Sequence, residues 1–198
     1  ESFDAYWKVY EEINHALWND YHHKQITKQK LISDRFSLSL NKFQIFDLDW
    51  EGLNRNYLAN MALQTELFPK TLDTLEILKA KGYQLHIITN GFREVQRDKL
   101  RNCGLEKYIS KVFISEEIQT NKPHRQIFEH ALTATNARKK SSGMIGDSWE
   151  IDIEGAMNFG IDQIMFLNNG RHFVPETIKL MQPSANSSYL ELKHQTRT

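Results

Sequence analysis

The 198-residue chain is poor in cysteine, with Cys103 alone. No internal disulfide can form, and nothing in the sequence calls for an oxidising compartment. No apolar run approaches the roughly 20 residues of a membrane span, and no signal-peptide pattern opens the chain. These absences predict a cytoplasmic protein without a membrane segment.

The chain also lacks net charge, because 25 Lys and Arg residues balance 25 Asp and Glu residues. No overall field would draw it to nucleic acid or to an anionic membrane, so a small-molecule partner is expected. Its 40% hydrophobic content suits one core domain with a smaller appendage. The oligomeric state is not indicated by any pattern.

The first third of the sequence is helical by its apolar spacing. Residues 1–22 form the first predicted helix, Thr27 caps a second, and Asp49 caps a third that runs to about Gln64. We expect an all-helical cap over residues 1–67 and a core over 68–198, with the boundary near Leu67–Pro69.

After this boundary, helices and short apolar strands alternate. Such alternation predicts an α/β fold with a parallel sheet covered by helices, and ligands bind beyond the carboxyl ends of its strands. Helices are predicted over 71–81, 92–103, 124–135 and 150–159, and strands over 83–88, 111–115, 143–146 and 162–167.

Polar residues follow two of these strands in patterns that suit phosphate. Thr89, Asn90 and Gly91 leave the first strand, where a hydroxyl and turning backbone amides could meet a phosphoryl oxygen. Lys122 precedes Pro123, which holds its backbone extended, so its ammonium could neutralise a phosphate. Taken alone, each motif is more typical of an ordinary turn than of a phosphate site.

A third motif joins two carboxylates. Asp147 ends the strand 143–146 behind Gly146, and Ser148 can cap a helix that carries Asp152 about one turn in. Two convergent carboxylates suit Mg²⁺, which prefers oxygen ligands. The alternative is an acidic helix start that complements the helix dipole.

Taken together, Ile-Thr-Asn-Gly, Lys-Pro and Gly-Asp-Ser-x-x-x-Asp resemble the second, third and fourth motifs of the haloacid dehalogenase-like (HAD) superfamily. The resemblance covers the whole chain and implies a Rossmann-like core with a helical cap. Further segments are similar to the branch that contains bacterial 5′-nucleotidases: residues 17–21, 26–27, 35–36, 114–117 and 127–128.

The resemblance implies a phosphomonoesterase that works through an aspartyl-phosphate and acts on a small phosphate ester, such as a nucleoside monophosphate. Thr89 and Lys122 would be catalytic. The phosphoryl group would bind to Thr89, Asn90, Gly91 and Lys122, and Mg²⁺ to Asp147 and Asp152.

The nucleophile is the missing piece. The family's first motif, a strand ending in Asp-x-Asp-x-Thr, precedes the cap, and here the cap already begins at Glu1. We expect the motif upstream of residue 1, which leaves the first core strand absent from this chain. Asp47-Leu-Asp49 is the competing candidate, but Glu51 replaces the Thr and the pair interrupts the cap.

Two other functions stay open at this point. A protein without the first motif could bind phosphate or a partner without catalysis, or the scaffold could cleave C–halogen or C–P bonds. Dehalogenation needs no metal, so the acidic pair favours phosphate chemistry. The pair His22-His23 lies at a polar helix end and is expected to be solvated, since no third metal ligand is visible.

Overall fold

The structure, a computed structural model, describes residues 2–167. Its first part consists of three helices with buried aromatic and aliphatic side chains between them. Tyr10, Phe36 and Leu40 form one cluster, and Leu17 and Leu31 belong to a second. The helices are α1 (Phe3–His22), α2 (Lys28–Lys42) and α3 (Trp50–Ala62).

The predicted helix starts of this cap are confirmed in detail. The Thr27 hydroxyl accepts a hydrogen bond from the backbone N–H of Lys30, and Asp49 caps α3 by accepting one from Gly52. Such caps satisfy backbone donors that the first helical turn leaves unpaired. No helix within residues 2–167 is both long and apolar enough to cross a membrane.

The second part alternates helices and parallel strands, which confirms the α/β fold class. Most elements lie within two residues of their predicted bounds. Two short elements were not predicted, a helical turn over Ser115–Ile118 and a 3₁₀ turn over Lys139–Ser141. The predicted helix 150–159 begins as a π-helix (Trp149–Ile153) and continues as an α-helix from Glu154. The elements are α4 (Thr71–Ala80), β1 (Leu85–Thr89), α5 (Arg93–Asn102), β2 (Ile109–Ile114), α6 (Ser115–Ile118), α7 (Arg125–Thr135), β3 (Gly143–Gly146), α8 (Glu154–Phe159) and β4 (Asp162–Met165).

The strands form two parallel pairs rather than one continuous ladder. β1 pairs with β2, and β3 pairs with β4. Ile88 of β1 and Met144 of β3 nevertheless pack against one core cluster, which is built around Ile127, Phe128 and Phe159. Among the described residues no strand bridges the pairs, so β1 and β3 each have one edge without a hydrogen-bonded neighbour.

The helical cap lies against the carboxyl-end side of β1. Trp18 of α1 stacks on Phe92, the residue before α5, with ring centroids 5.0 Å apart. Lys28 reaches Glu94 and Glu116 of the α/β part at 3.0 and 2.7 Å. The division at residues 67 and 68 remains a prediction, as does the part of the core beyond residue 167, which lies outside the described residues.

Candidate active site

Two loops of the core meet through Asn90 and Lys122. The Asn90 side chain donates to the carbonyl oxygen of Lys122 and accepts from its backbone N–H, both at 2.9 Å. Asn90 is 8% exposed. Paired hydrogen bonds of this kind fix the Lys122 backbone relative to the end of β1. They also engage both ends of the Asn90 amide.

The Lys122 ammonium forms a buried ion pair. Its Nζ lies 2.6 Å from Oδ1 of Asp152, and the two side chains are 11% and 6% exposed. The other carboxylate oxygen, Oδ2, accepts from the backbone N–H of Ser148 at 3.2 Å. Removing two charges from water is costly, so such a pair persists where geometry and further hydrogen bonds are good.

Glycines allow this pair to form. A Cβ on Gly146 would lie 2.4 Å from both Cβ and Oδ2 of Asp152, so only glycine lets the strand end approach the carboxylate. A Cβ on Gly155 would lie 2.9 Å from Cβ of Pro123, which follows Lys122 through a cis peptide bond. Close packing therefore joins the lysine loop to the segment that carries Asp152.

Asp147 and Thr89 stand at the ends of their strands. Asp147 follows β3 directly and is exposed, and Ser148 caps the next turn by accepting from Ile151 N–H at 3.4 Å, as predicted. Thr89 is half-buried, and its hydroxyl accepts from Gly91 N–H at 3.0 Å. The hydroxyl proton of Thr89 stays available to an incoming oxygen.

The carboxylates at the strand ends suit a Mg²⁺ site with one direct protein ligand. Within the described part of the chain, no three His, Cys, Asp or Glu side chains gather as a metal site. Mg²⁺ commonly takes one or two carboxylates together with waters and phosphate oxygens. Exposed Asp147 fits as a direct ligand, whereas Asp152, already bound to Lys122 and Ser148, fits as a neighbouring charge.

Asp47 lies apart from this cluster. It is exposed in the loop between α2 and α3, and residues 43–47 contain no strand. Asp49 is occupied as the cap of α3. Asp47 and Asp49 therefore have the geometry of a loop residue and a helix cap.

His22 corrects an expectation. We predicted both histidines of the pair to be solvated, and His23 is exposed. The Nε2 atom of His22, however, is buried, and nothing in the described part of the chain forms a hydrogen bond with it. Burial first, and then the charge of Lys122, lower the pKa of His22 to about 4. No sequence pattern indicates that this helix end meets the lysine loop.

Asn121 is a second residue that sequence reasoning missed. Its Nδ2 donates to the carbonyl oxygen of His22 at 2.7 Å, and it lies beside Lys122 in the chain. At 8% exposure it is a buried link between the cap and the site. Its position next to the Lys-Pro motif was the one available signal.

The chain is similar to known proteins over most of its length. Residues 3–166 match the family described as haloacid dehalogenase-like hydrolase. The described residues form a Rossmann-like α/β core with a helical cap. The chain belongs to the haloacid dehalogenase-like hydrolase family.

Individual relatives are nucleotidases and related hydrolases. The chain is 36% identical over 163 residues to pyrimidine 5′-nucleotidase PynA of Streptococcus pneumoniae, covering 82% of this chain and 68% of that protein. It is 32% identical over 170 residues to pyrimidine 5′-nucleotidase YjjG of Escherichia coli, covering 85% and 73%.

A solved structure with the same architecture is the HAD-hydrolase YfnB of Bacillus subtilis, described as bound to magnesium and as revealing interdomain movement. The TM-score is 0.76 at 25% identity, over 82% of this chain and 73% of that one. A dehalogenase structure, at a TM-score of 0.68 and 19% identity over 85% and 74%, shares the fold.

Proposed function

We propose that this protein is a Mg²⁺-dependent phosphomonoesterase that hydrolyses nucleoside monophosphates. The observation that carries the proposal is the buried Lys122–Asp152 pair, 2.6 Å apart. Asp152 contacts Gly146 and Ser148, the chain neighbours of the exposed Asp147. A fixed cation and an open carboxylate at strand ends suit a doubly charged phosphate. The names of the 5′-nucleotidase relatives support the substrate class.

In this proposal the cationic and the neutral residues have different roles in binding the phosphoryl group. Lys122 neutralises the transferring phosphoryl group as a point charge with three donors. The Thr89 hydroxyl and the backbone N–H groups of Asn90 and Gly91 bind its oxygens. The Asn90 side chain positions Lys122, because both ends of its amide already contact the lysine backbone.

Asp147 would hold the metal, which would supply positive charge to neutralise the phosphoryl oxygens. Asp152 would hold Lys122 in place beside it. An attacking aspartate carboxylate forms a bond to phosphorus as the alcohol departs, and water then hydrolyses the aspartyl-phosphate to phosphate.

We infer that the attacking aspartate is not Asp47 but belongs to a strand between β1 and β3, expected upstream of Glu1. Within residues 2–167 both strands have an unpaired edge, as β2 and β4 do, and unpaired parallel edges readily accept a further strand. A strand there would end at the same sheet edge as Thr89 and Asp147. Asp47, exposed in the cap loop, has no such position.

The experiment uses the full-length protein with p-nitrophenyl phosphate and then a nucleoside monophosphate panel, with and without Mg²⁺. Asp147→Asn should lower kcat by on the order of 10²–10³, without loss of stability since the side chain is exposed. Glu150→Gln, a neighbouring exposed acid, is the matched control. Asp47→Asn should leave turnover unchanged.

The alternatives give different results in the same assay. Halide release from a haloacid without added metal would indicate a dehalogenase, and phosphate binding without turnover would indicate a non-catalytic protein. Full activity of Asp147→Asn would overturn the metal assignment. Cytoplasmic location and the absence of nucleic-acid binding stay predictions from the sequence.

A further inference from the structure

His22, in the cap, has a buried ring nitrogen that the described contacts do not use. It ends α1, and its ring lies against Trp18 with centroids 5.5 Å apart. Its Nε2 is buried, and no group within residues 2–167 forms a hydrogen bond with it. A buried polar atom without a partner costs about 1–3 kcal/mol, so this atom is expected to find one when the site is occupied.

Contacts with two loops of the proposed phosphate site hold His22 in position. Its carbonyl oxygen accepts from Asn121, which also donates to the carbonyl oxygen of Lys122 at 3.3 Å. Trp18, one turn earlier in α1, stacks on Phe92 just after the Thr89 loop. The end of α1 is therefore tied to both loops that would hold the phosphoryl group.

The electrostatic surroundings keep the ring neutral. Burial opposes its protonation, the charges of Lys122 and of the neighbouring histidines act in the same direction, and Asp152 acts against them. A neutral imidazole has one donor and one acceptor nitrogen. A hydroxyl group can serve either nitrogen, whereas a phosphate oxygen only accepts.

We propose that His22 is a specificity-determining residue whose Nε2 forms a hydrogen bond to a hydroxyl of the leaving alcohol, the sugar part of a nucleoside monophosphate. The assignment rests on the proposed function, in which the core holds the phosphoryl group and the cap faces the rest of the ester. It deepens that function by naming a cap contact to the substrate.

Because Nε2 is covered by protein atoms, the substrate reaches it when the cap moves off the core. The ion pairs of Lys28 with Glu94 and Glu116 across this boundary are partly exposed. Surface ion pairs add about 0–1 kcal/mol each, so they oppose this movement weakly. The buried cluster of Leu17, Leu31, Phe92 and Val95 also crosses the boundary and must part for the cap to move. The leaving group would then replace cap–core contacts around His22 as the two parts close on it.

The test compares two substrates in the full-length enzyme with Mg²⁺: uridine 5′-monophosphate, which has sugar hydroxyls, and p-nitrophenyl phosphate, which has none. His22→Phe keeps a ring against Trp18 but removes the nitrogen. It should lower kcat/KM for the nucleotide by about 10- to 100-fold, the factor for one unmade hydrogen bond. For p-nitrophenyl phosphate it should change kcat/KM less than about threefold.

Two further variants separate contact from structure. His22→Gln, whose amide nitrogen can take the place of Nε2, should recover most nucleotide activity, and His23→Phe should change neither substrate because His23 is exposed. Equal losses on both substrates, or no loss on either, would overturn the role of His22 alone. A wild-type enzyme inactive on both substrates would overturn the proposed function and this assignment with it, and one active only on p-nitrophenyl phosphate would overturn the assignment.

Discussion

Among the described residues, the cap and the core each bury one cationic side chain, and they stabilise it differently. In the core, Lys122 pairs with the carboxylate of Asp152 at 2.6 Å. In the cap, Arg35 is 1% exposed and donates to the amide oxygen of Asn54, and its guanidinium carbon lies 4.8 Å from the Tyr57 ring centroid. Within residues 2–167 no carboxylate forms an ion pair with Arg35.

The difference indicates which charge is available for chemistry. Burial lowers the pKa of Arg35, and Tyr10 and Tyr57 oppose that shift. Aromatic faces and a neutral amide stabilise its guanidinium inside the cap, away from the strand ends. Lys122 instead lies in the loop that Asn90 joins to the end of β1. Its partner Asp152 also accepts from Ser148, the chain neighbour of exposed Asp147.

The largest effect is expected when the core cation is removed. Lys122→Met leaves the Asp152 carboxylate buried without its cation, which should lower the free energy of unfolding by about 3–5 kcal/mol. Urea denaturation measures this change. Adding Asp152→Leu should restore most of the stability but no phosphatase activity; a single variant as stable as the wild type would contradict the importance of the pair.

An intermediate loss of stability is expected when a methyl group is added next to the Lys122–Asp152 pair and both charges are kept. Gly146→Ala places a Cβ 2.4 Å from Asp152, so the carboxylate must move, at a cost of about 1–3 kcal/mol. Gly143→Ala on the same strand is the control, because its Cβ would be 3.4 Å from the nearest atom, an ordinary contact. Thermal or urea unfolding should separate the two variants, and equal stability would argue against tight packing at Gly146.

The smallest effect is expected in the cap. Arg35→Met removes a buried charge that has no carboxylate partner, and the relief of its desolvation offsets the loss of the Asn54 hydrogen bond. The free energy of unfolding should change by less than about 1.5 kcal/mol, and activity on p-nitrophenyl phosphate should persist. A loss as large as that of Lys122→Met would remove the distinction between the two cations.

Much of the secondary structure could be predicted because it depends on local patterns. Apolar spacing located α1, and the caps Thr27 and Asp49 fixed the starts of two helices. The strand Gly143–Gly146 was predicted with its observed bounds. These signals act within one turn or one strand, so they can be read along the chain.

The environment of single side chains could not be read in this way. His22 was expected to be solvated because it lies at a polar helix end. Its ring instead contacts Trp18 one turn earlier, and its pKa is lowered by Lys122, a hundred residues later in the chain. The role of Asn121 as a link to the cap depends on the same long-range approach. Burial is decided by which elements pack together.

By itself, the sequence determined the class of this protein: a helical cap, an α/β core, and strand-end motifs whose order matches the haloacid dehalogenase-like hydrolases. Tertiary structure alone decided how those motifs meet. Gly146 admits Asp152, Asp152 binds Lys122, and Asn90 fixes the lysine backbone. The reason is physical: backbone preferences are local, whereas the energy of a buried charge depends on every group that surrounds it.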